Sequence, residues 1–297
     1  MTAGQVCIFG EVLFDQFPDG QQVLGGAPFN VAWHLQAFDQ NPCFVSRVGA
    51  DPMGEAIRRA MLDWGMNVDN VQTDPDYPTG AVKVNIHNGE PDYEILADQA
   101  YDFIAADQLR LANEVSVIYH GTLALRHHVS RKALDELKAR HSGKVFVDVN
   151  LREPWWQAEA VSRYVSGADW VKLNHHELMH LAPQQGAIEE TMRLFLARHK
   201  LEVLVVTCGS QGAMAVNNAG QFAEVSPAGN LSVVDTVGAG DGFSAVLLLG
   251  LQYGWPLQLI MDRAQSFASA LVTRQGGTVQ DLGFYQAFRD AWGLDLA

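Results

Sequence analysis

The sequence predicts an α/β fold with a mostly parallel central sheet and a small second β-sheet beside it. Two observations carry this. Near-continuous apolar runs recur at 6–9, 43–48, 115–119, 145–149, 170–173, 203–207 and 231–234, and amphipathic helical stretches such as 53–64, 131–140 and 191–198 lie between many of them. Strands that lack polar alternation are buried on both faces, as in a parallel sheet covered by helices. The second observation is a pair of strand-turn-strand patterns early in the chain: 12–17 with 21–24 around Pro18-Asp19-Gly20, and 81–86 with 92–96 around His87-Asn88-Gly89-Glu90. Hairpins inserted into an α/β chain make a small accessory sheet, with inserts spanning approximately 12–25 and 79–104.

The remaining elements follow from local punctuation. A third hairpin, 213–217 with 221–225 around Asn218-Ala219-Gly220, extends the edge of the main sheet. Asp51-Pro52 reads as a helix N-cap followed by proline at the first helical position, and Gly254-Trp255-Pro256 ends one helix and starts another that closes near Gly276 and Gly277. No internal repeat, low-complexity tract or linker interrupts the chain, so residues 1–297 read as one domain carrying the two inserts.

Composition narrows the partners. The 297 residues are 48% hydrophobic, enough for a sizeable core, and carry a formal net charge of -14, which disfavours nucleic acid and anionic membrane surfaces. The apolar stretch 245–251 falls well short of the roughly 20 residues of a membrane span, and the first residues lack the basic segment of a secretory signal. Cys7, Cys43 and Cys208 are odd in number and each lies in or beside an apolar run, so buried free thiols in a reducing, cytoplasmic setting are expected.

The most informative segment is 233–245, VVDTVGAGDGFSA. An apolar β-type run meets a Gly-Ala-Gly turn and then an apolar helical pattern. Such a turn directs the backbone N–H groups of Gly238, Ala239, Gly240 and Asp241 at the space before the helix, where the macrodipole also favours an anion. Asp241 is either the N-cap of that helix or a base that takes a proton from a hydroxyl attacking a phosphoryl group held in the turn.

DTVGAGDGF resembles the C-terminal signature of the ribokinase-like (PfkB) carbohydrate kinases, close to D-T-x-G-A-G-D-x-F. The resemblance implies a three-layer sandwich with a β-sheet lid over the sugar. It makes Asp241 the catalytic base, Gly238, Ala239 and Gly240 the anion hole, and Asp235 a ligand of a monovalent cation such as K+, with 273–278 as the loop that joins Asp235 around that ion.

Other segments carry the same resemblance. Gly25-Gly26-Ala27-Pro28-Phe29-Asn30 is similar to the family's G-G-x-x-x-N motif, and Asp15 falls at the position whose carboxylate binds adjacent sugar hydroxyls; the family implies substrate contacts for Asp15, Gly25, Gly26 and Asn30. Asp148-Val149-Asn150-Leu151-Arg152 resembles the D-x-N-x-R run of the fructokinase-like branch, with Asn150 and Arg152 in the polar lining. Asn174-His175-His176-Glu177 contains the family's N-x-x-E pattern, associated with nucleotide phosphates and Mg2+. Hard Mg2+ keeps several waters, so one carboxylate beside an amide suffices. Thr207-Cys208-Gly209-Ser210-Gln211-Gly212 resembles the T-x-G-x-x-G nucleotide loop, which assigns Thr207, Gly209, Ser210 and Gly212 to the nucleotide.

Residues 176–180 also read H-E-x-x-H, the pattern of zinc hydrolases. Ten histidines make a chance match easy, Pro183 stands where the extended metzincin pattern has glycine, and no other motif supports hydrolysis. The resemblance therefore implies an ATP-dependent sugar kinase using Mg2+, with a homodimer formed through the lid as an expectation. Within the family, 11–15, the Pro78-Thr79-Gly80 run with Glu90-Pro91-Asp92-Tyr93, and 100–104 look most like fructokinases. A sugar acid such as 2-keto-3-deoxygluconate calls for an arginine in the lid, and the second hairpin has Lys83 and no arginine, so a neutral hexose, fructose first, precedes ribose and nucleosides. A non-catalytic sugar-binding regulator on the same fold is the rival that would have no use for a base.

Overall fold

The computed structural model describes residues 4–87, 90–111, 114–182, 186–227, 229 and 232–294. The main sheet takes β1 (Gln5–Phe9), β4 (Cys43–Gly49), β5 (Val71–Asp74), β8 (Val115–His120), β9 (Lys144–Asp148), β10 (Trp170–Asn174), β11 (Val203–Thr207), β12 (Ala213–Asn217) and β13 (Phe222–Val225). The small sheet takes β2 (Leu13–Gln16), β3 (Gln22–Gly25), β6 (Gly80–His87) and β7 (Glu90–Ile95). The helices are α1 (Ala27–Ala37), α2 (Pro52–Asp63), α3 (His128–Arg140), α4 (Ala158–Ser166), α5 (His175–Leu181), α6 (Ile188–His199), α7 (Ala239–Tyr253), α8 (Leu257–Leu271) and α9 (Leu282–Trp292).

The main sheet runs β13-β12-β11-β10-β9-β8-β1-β4-β5 and is parallel except where β12 and β13 fold back antiparallel at one edge. Because successive side chains point to opposite faces, each strand feeds two layers. Val6 and Ile8 of β1 join the core under α1, α7 and α8, while Cys7 and Phe9 face α3. Phe146, Trp170 and Val205 repeat the first direction, and Val147, Val171, Leu173, Leu204 and Val206 pack beneath α4 to α6. The result is a three-layer α/β/α sandwich; each large apolar side chain buried this way contributes about 1.5–3 kcal/mol. Residues 242–250 of α7 are all buried, which explains why that helix is apolar all round.

From β1 the chain builds outward to β4 and β5, then returns to the other side of β1 to lay down β8 and the strands beyond it. The strand order thus reverses at β1, and in open sheets of this kind a crevice opens there at the carboxyl ends of the strands. The small sheet pairs β3-β2-β6-β7, with β2 and β6 parallel. It is rooted beside the crevice by Asp51, the N-cap of α2. Asp51 Oδ1 accepts from the Gly54 N–H (2.8 Å) and the Thr79 hydroxyl (2.7 Å), and Oδ2 from the Thr79 N–H (2.8 Å).

Three sequence expectations change. The apolar run expected as a strand at 231–234 forms none over its described residues 232–234. Val233 and Val234 are more than half exposed, and the N–H groups of Val234 and Asp235 donate to Val272 O at 2.8 and 3.2 Å, so this stretch is hitched to the end of α8 while β13 occupies the sheet edge. Helix α8 closes at Leu271 rather than near Gly276, because Gly276 N–H donates to Asp235 Oδ2 (3.0 Å) and pulls 273–278 out as a loop. The short edge strand β5 is an addition to the expected set. Cys7 and Cys43 are buried free thiols, and Cys208 is half-buried. Of the second hairpin's turn, residues 88 and 89 lie outside the described residues.

Candidate active site

A cleft of about 780 Å³ opens at the carboxyl ends of the main strands. The small sheet supplies one wall through Asp15, Val82 and Tyr93, and the other comes from the loops after β1 and β9, through Glu11, Asn150 and Arg152, and from the last residues of β10 and β11, Asn174 and Thr207. Residues far apart in the chain meet here because parallel strands all end on the same side.

Asp241 lines the middle of the cleft. Helix α7 starts at Ala239 with Gly238 as its N-cap, so Asp241 is the third helical residue and not the cap. Its carboxylate turns instead to Asn30 of α1, whose Nδ2 donates to Asp241 Oδ2 at 2.7 Å. Burial pushes Asp241 up to about 7, against the lowering effects of that hydrogen bond and of Lys172. Gly238 has φ +78, and a Cβ there would stand 2.3 Å from Gly277 Cα, so only glycine permits this approach. Gly238 and Gly240 line the cleft, whereas Ala239 does not and its N–H leans back to Thr236 O at 3.4 Å.

Behind this turn lies a buried ion pair. Parallel register sets Lys172 of β10 beside Asp148 of β9, and Lys172 Nζ donates to both carboxylate oxygens at 2.8 and 2.9 Å. The Tyr119 and Ser244 hydroxyls donate to Asp148 Oδ2 at 2.8 and 2.6 Å, and Ser244 Oγ also lies 3.0 Å from Gly240 O. The network therefore couples the sheet to the first turn of α7. Lys172 was not among the residues singled out from the sequence; a lysine inside the apolar run Trp170-Val171-Lys172-Leu173 was the available signal.

Toward the small sheet the cleft is acidic. Asp15 on β2 is half-buried and raised to about 6 by desolvation, with Arg152 acting against the shift. Glu11, only 4% exposed in the loop after β1, is raised to about 7 chiefly by burial and further by the charge of Asp241; hydrogen bonds from its own N–H and that of Ala124, and the charge of Arg152, oppose the rise. Gly25 and Gly26 line this part, and Gly26, with φ +111, lets the start of α1 come so close to the β1–β2 loop that a Cβ would stand 2.7 Å from Glu11 O. Glu11 is the second residue that motif reading missed.

The expected metal and nucleotide positions divide. Asn174 and Glu177 form a capping box at the start of α5: Asn174 Oδ1 accepts from Glu177 N–H (2.9 Å) and Glu177 Oε2 from Asn174 N–H (2.8 Å), while Glu177 Oε1 accepts from Leu151 N–H (2.9 Å). Each Glu177 oxygen keeps a lone pair for a metal-bound water. Among the described residues no cluster of three or more His, Cys, Asp or Glu side chains is placed to hold a metal ion, and His176 and His180 have no third such ligand beside them. Asp235 stands outside the cleft wall; its oxygens accept from Val237 N–H (2.9 Å) and Gly276 N–H, clasping 273–278 against the turn. Thr207 lines the cleft, but Gly209, Ser210 and Gly212 do not.

Comparison with known proteins places the chain in a family. The family pattern described as pfkB family carbohydrate kinase matches residues 7–281. A fructokinase of Klebsiella pneumoniae is 31% identical over 263 residues, covering 84% of each chain. An aminoimidazole riboside kinase of Salmonella typhimurium is 26% identical over 292 residues, covering 92% of this chain and 90% of the relative. The structure is similar to that of Vibrio cholerae fructokinase with bound fructose, ADP and calcium ion, at a TM-score of 0.82 and 26% identity over 96% of this chain and 99% of that one. With every strand except the first two residues of β1, and the whole lining of the cleft, inside the matched span, the chain is a carbohydrate kinase of the pfkB family.

Proposed function

We propose that the chain is an ATP-dependent kinase of a neutral ketohexose, fructose first, with Asp241 as the base. The observation that supports this most is the Asp241 carboxylate, oriented by Asn30 and raised to about 7, on the first turn of a helix that opens onto the cleft. A base with that affinity for protons is matched to neutral pH. It takes the proton of the sugar hydroxyl as the oxygen attacks the γ-phosphorus in line and ADP leaves, and the backbone N–H groups at Gly238 and Gly240 receive charge on the phosphoryl oxygens. Lys172, pinned by Asp148, adds fixed positive charge beside that turn. Mg2+ bound with the nucleotide would neutralise phosphate charge, and Asn174 and Glu177 are the residues that would hold it, through water.

The carboxylates of Glu11, Asp15 and Asp241 at the sugar end favour a neutral polyol over a sugar acid, and the fructokinase relatives favour fructose. Asp235 and the loop it clasps are the place for a monovalent cation. The deciding experiment is ADP release over a panel of ketoses, aldoses, sugar acids and nucleosides, with and without K+. Fructose should give the highest kcat/KM, with K+ raising it; turnover of a nucleoside or sugar acid in preference to every neutral hexose would overturn the assignment.

A further inference from the structure

Among the described residues, two buried side-chain acceptors lining the cleft lack a hydrogen-bond partner: Asn30 Oδ1 and Glu11 Oε2. Asn30 is already tied to Asp241 through its other end. Glu11 belongs to none of the motifs that assign a sugar contact, yet its placement is equally fixed. The backbone N–H groups of Glu11 itself and of Ala124 act on the carboxylate, its Oε2 is buried without a partner, and the residue lines the cleft. A buried carboxylate oxygen without a donor is costly, and it persists where something that binds supplies the donor. A metal ion does not fit this place, because no metal-holding cluster exists among the described residues. A hydroxyl does: it is a neutral donor, and the neighbouring Asp15 and Asp241 are themselves suited to polyols. Water entering the cleft before the sugar leads to the same conclusion, since a ligand that displaces it must replace its hydrogen bond.

We infer that Glu11 Oε2 accepts a hydrogen bond from a sugar hydroxyl other than the one Asp241 deprotonates, making that second hydroxyl a requirement for a substrate. This rests on the reading of the chain as a neutral-sugar kinase. Glu11 is then a specificity-determining residue, and a sugar lacking the hydroxyl leaves its oxygen buried without a partner.

The test measures kcat and KM of the wild type and of Glu11→Gln for the neutral sugar turned over best, expected to be fructose, and for its monodeoxy analogues. Glu11→Gln should raise KM about 10- to 100-fold with a smaller change in kcat, the size expected for a hydrogen bond to a charged group. For one analogue, the one missing the contacted hydroxyl, the same substitution should change kcat/KM by less than about threefold, a non-additivity that a structural role would not produce. Glutamine keeps the Ala124 contact and removes a buried charge, so its melting temperature should not fall. If it does, Glu11→Asp, which withdraws the carboxylate by one methylene, should give the same selective pattern. Losses that are equal for fructose and every analogue, or no loss for fructose, overturn the role of Glu11 alone. A wild-type enzyme that phosphorylates no neutral sugar overturns the parent reading and this inference with it.

Discussion

The two ends of the cleft handle charge in opposite ways. At the end lined by Lys172 and Asn174 the charged groups are already partnered: Lys172 by Asp148, Asp148 further by Tyr119 and Ser244, and Glu177 by backbone N–H groups. At the sugar end Glu11, Asp15 and Asp241 are held near 7, 6 and 7 by burial, and Glu11 and Asn30 each keep an open acceptor. The first arrangement is preorganised, so charge arriving with a phosphate meets fixed dipoles and no reorganisation is needed. The second keeps open acceptors, which suits the polyol proposed for it. Asp241 sits on the boundary, which suits the role of base proposed for it.

Substitutions on either side should separate the two behaviours. The largest effect is expected for Asp241→Asn: a fall in kcat of about 10² to 10⁴, accompanied at pH 8 by a higher melting temperature than the wild type. A variant that keeps wild-type kcat after this substitution would remove Asp241 as the base. Lys172→Met should do the reverse, costing about 3–5 kcal/mol of stability in urea unfolding because it strands the Asp148 charge in the core. Adding Asp148→Asn should recover part of that loss; if it does not, the pair is not the source.

The pH profile sharpens the same contrast. For Asp241 and Glu11 the folded protein binds the proton more tightly than the unfolded chain, so their contribution to stability is complete below about 4 and is lost as pH rises to about 7. The melting-temperature advantage of Asp241→Asn over wild type should therefore grow between pH 4 and pH 7 and then level off. Over the same range kcat/KM of the wild type should rise roughly tenfold per unit until about pH 7, as the single base Asp241 loses its proton. A smaller effect separates two neighbouring glycines. Gly238→Ala meets both a positive φ and Gly277 and should lose about 1–3 kcal/mol, whereas a Cβ on Gly240 has only Lys172 Nζ near it, at 3.8 Å, and Gly240→Ala should change stability by less than about 1 kcal/mol.

Much of the framework was legible because uninterrupted apolar runs admit few interpretations: the runs at 6–9, 145–149 and 203–207 all became central parallel strands, and Pro18-Asp19-Gly20 marked a real hairpin. The run at 231–234 had the same composition, but its described residues 232–234 are tied to Val272 at the end of α8 instead of joining the sheet, a long-range contact that local sequence does not carry. Asp241 illustrates the limit at single residues. Its position beside a Gly-rich turn suited an N-cap, and only the approach of Asn30, 211 residues away, shows what the carboxylate faces. Glu11 and Lys172 were harder still, since their significance lies in burial and in the neighbours of adjacent strands, which appear only once the register is known.

One small feature away from the chemistry ties two motions together. Asp51 uses a single carboxylate to start α2 and to hold Thr79 at the root of β6. The first turn of that helix and the base of the small sheet therefore share one opening event, and the amides of Gly54 and Thr79 should exchange with solvent deuterium at a common rate. Asp51→Ala should split that rate in two, leaving the helix to fray and the small sheet to lift from the cleft on separate clocks.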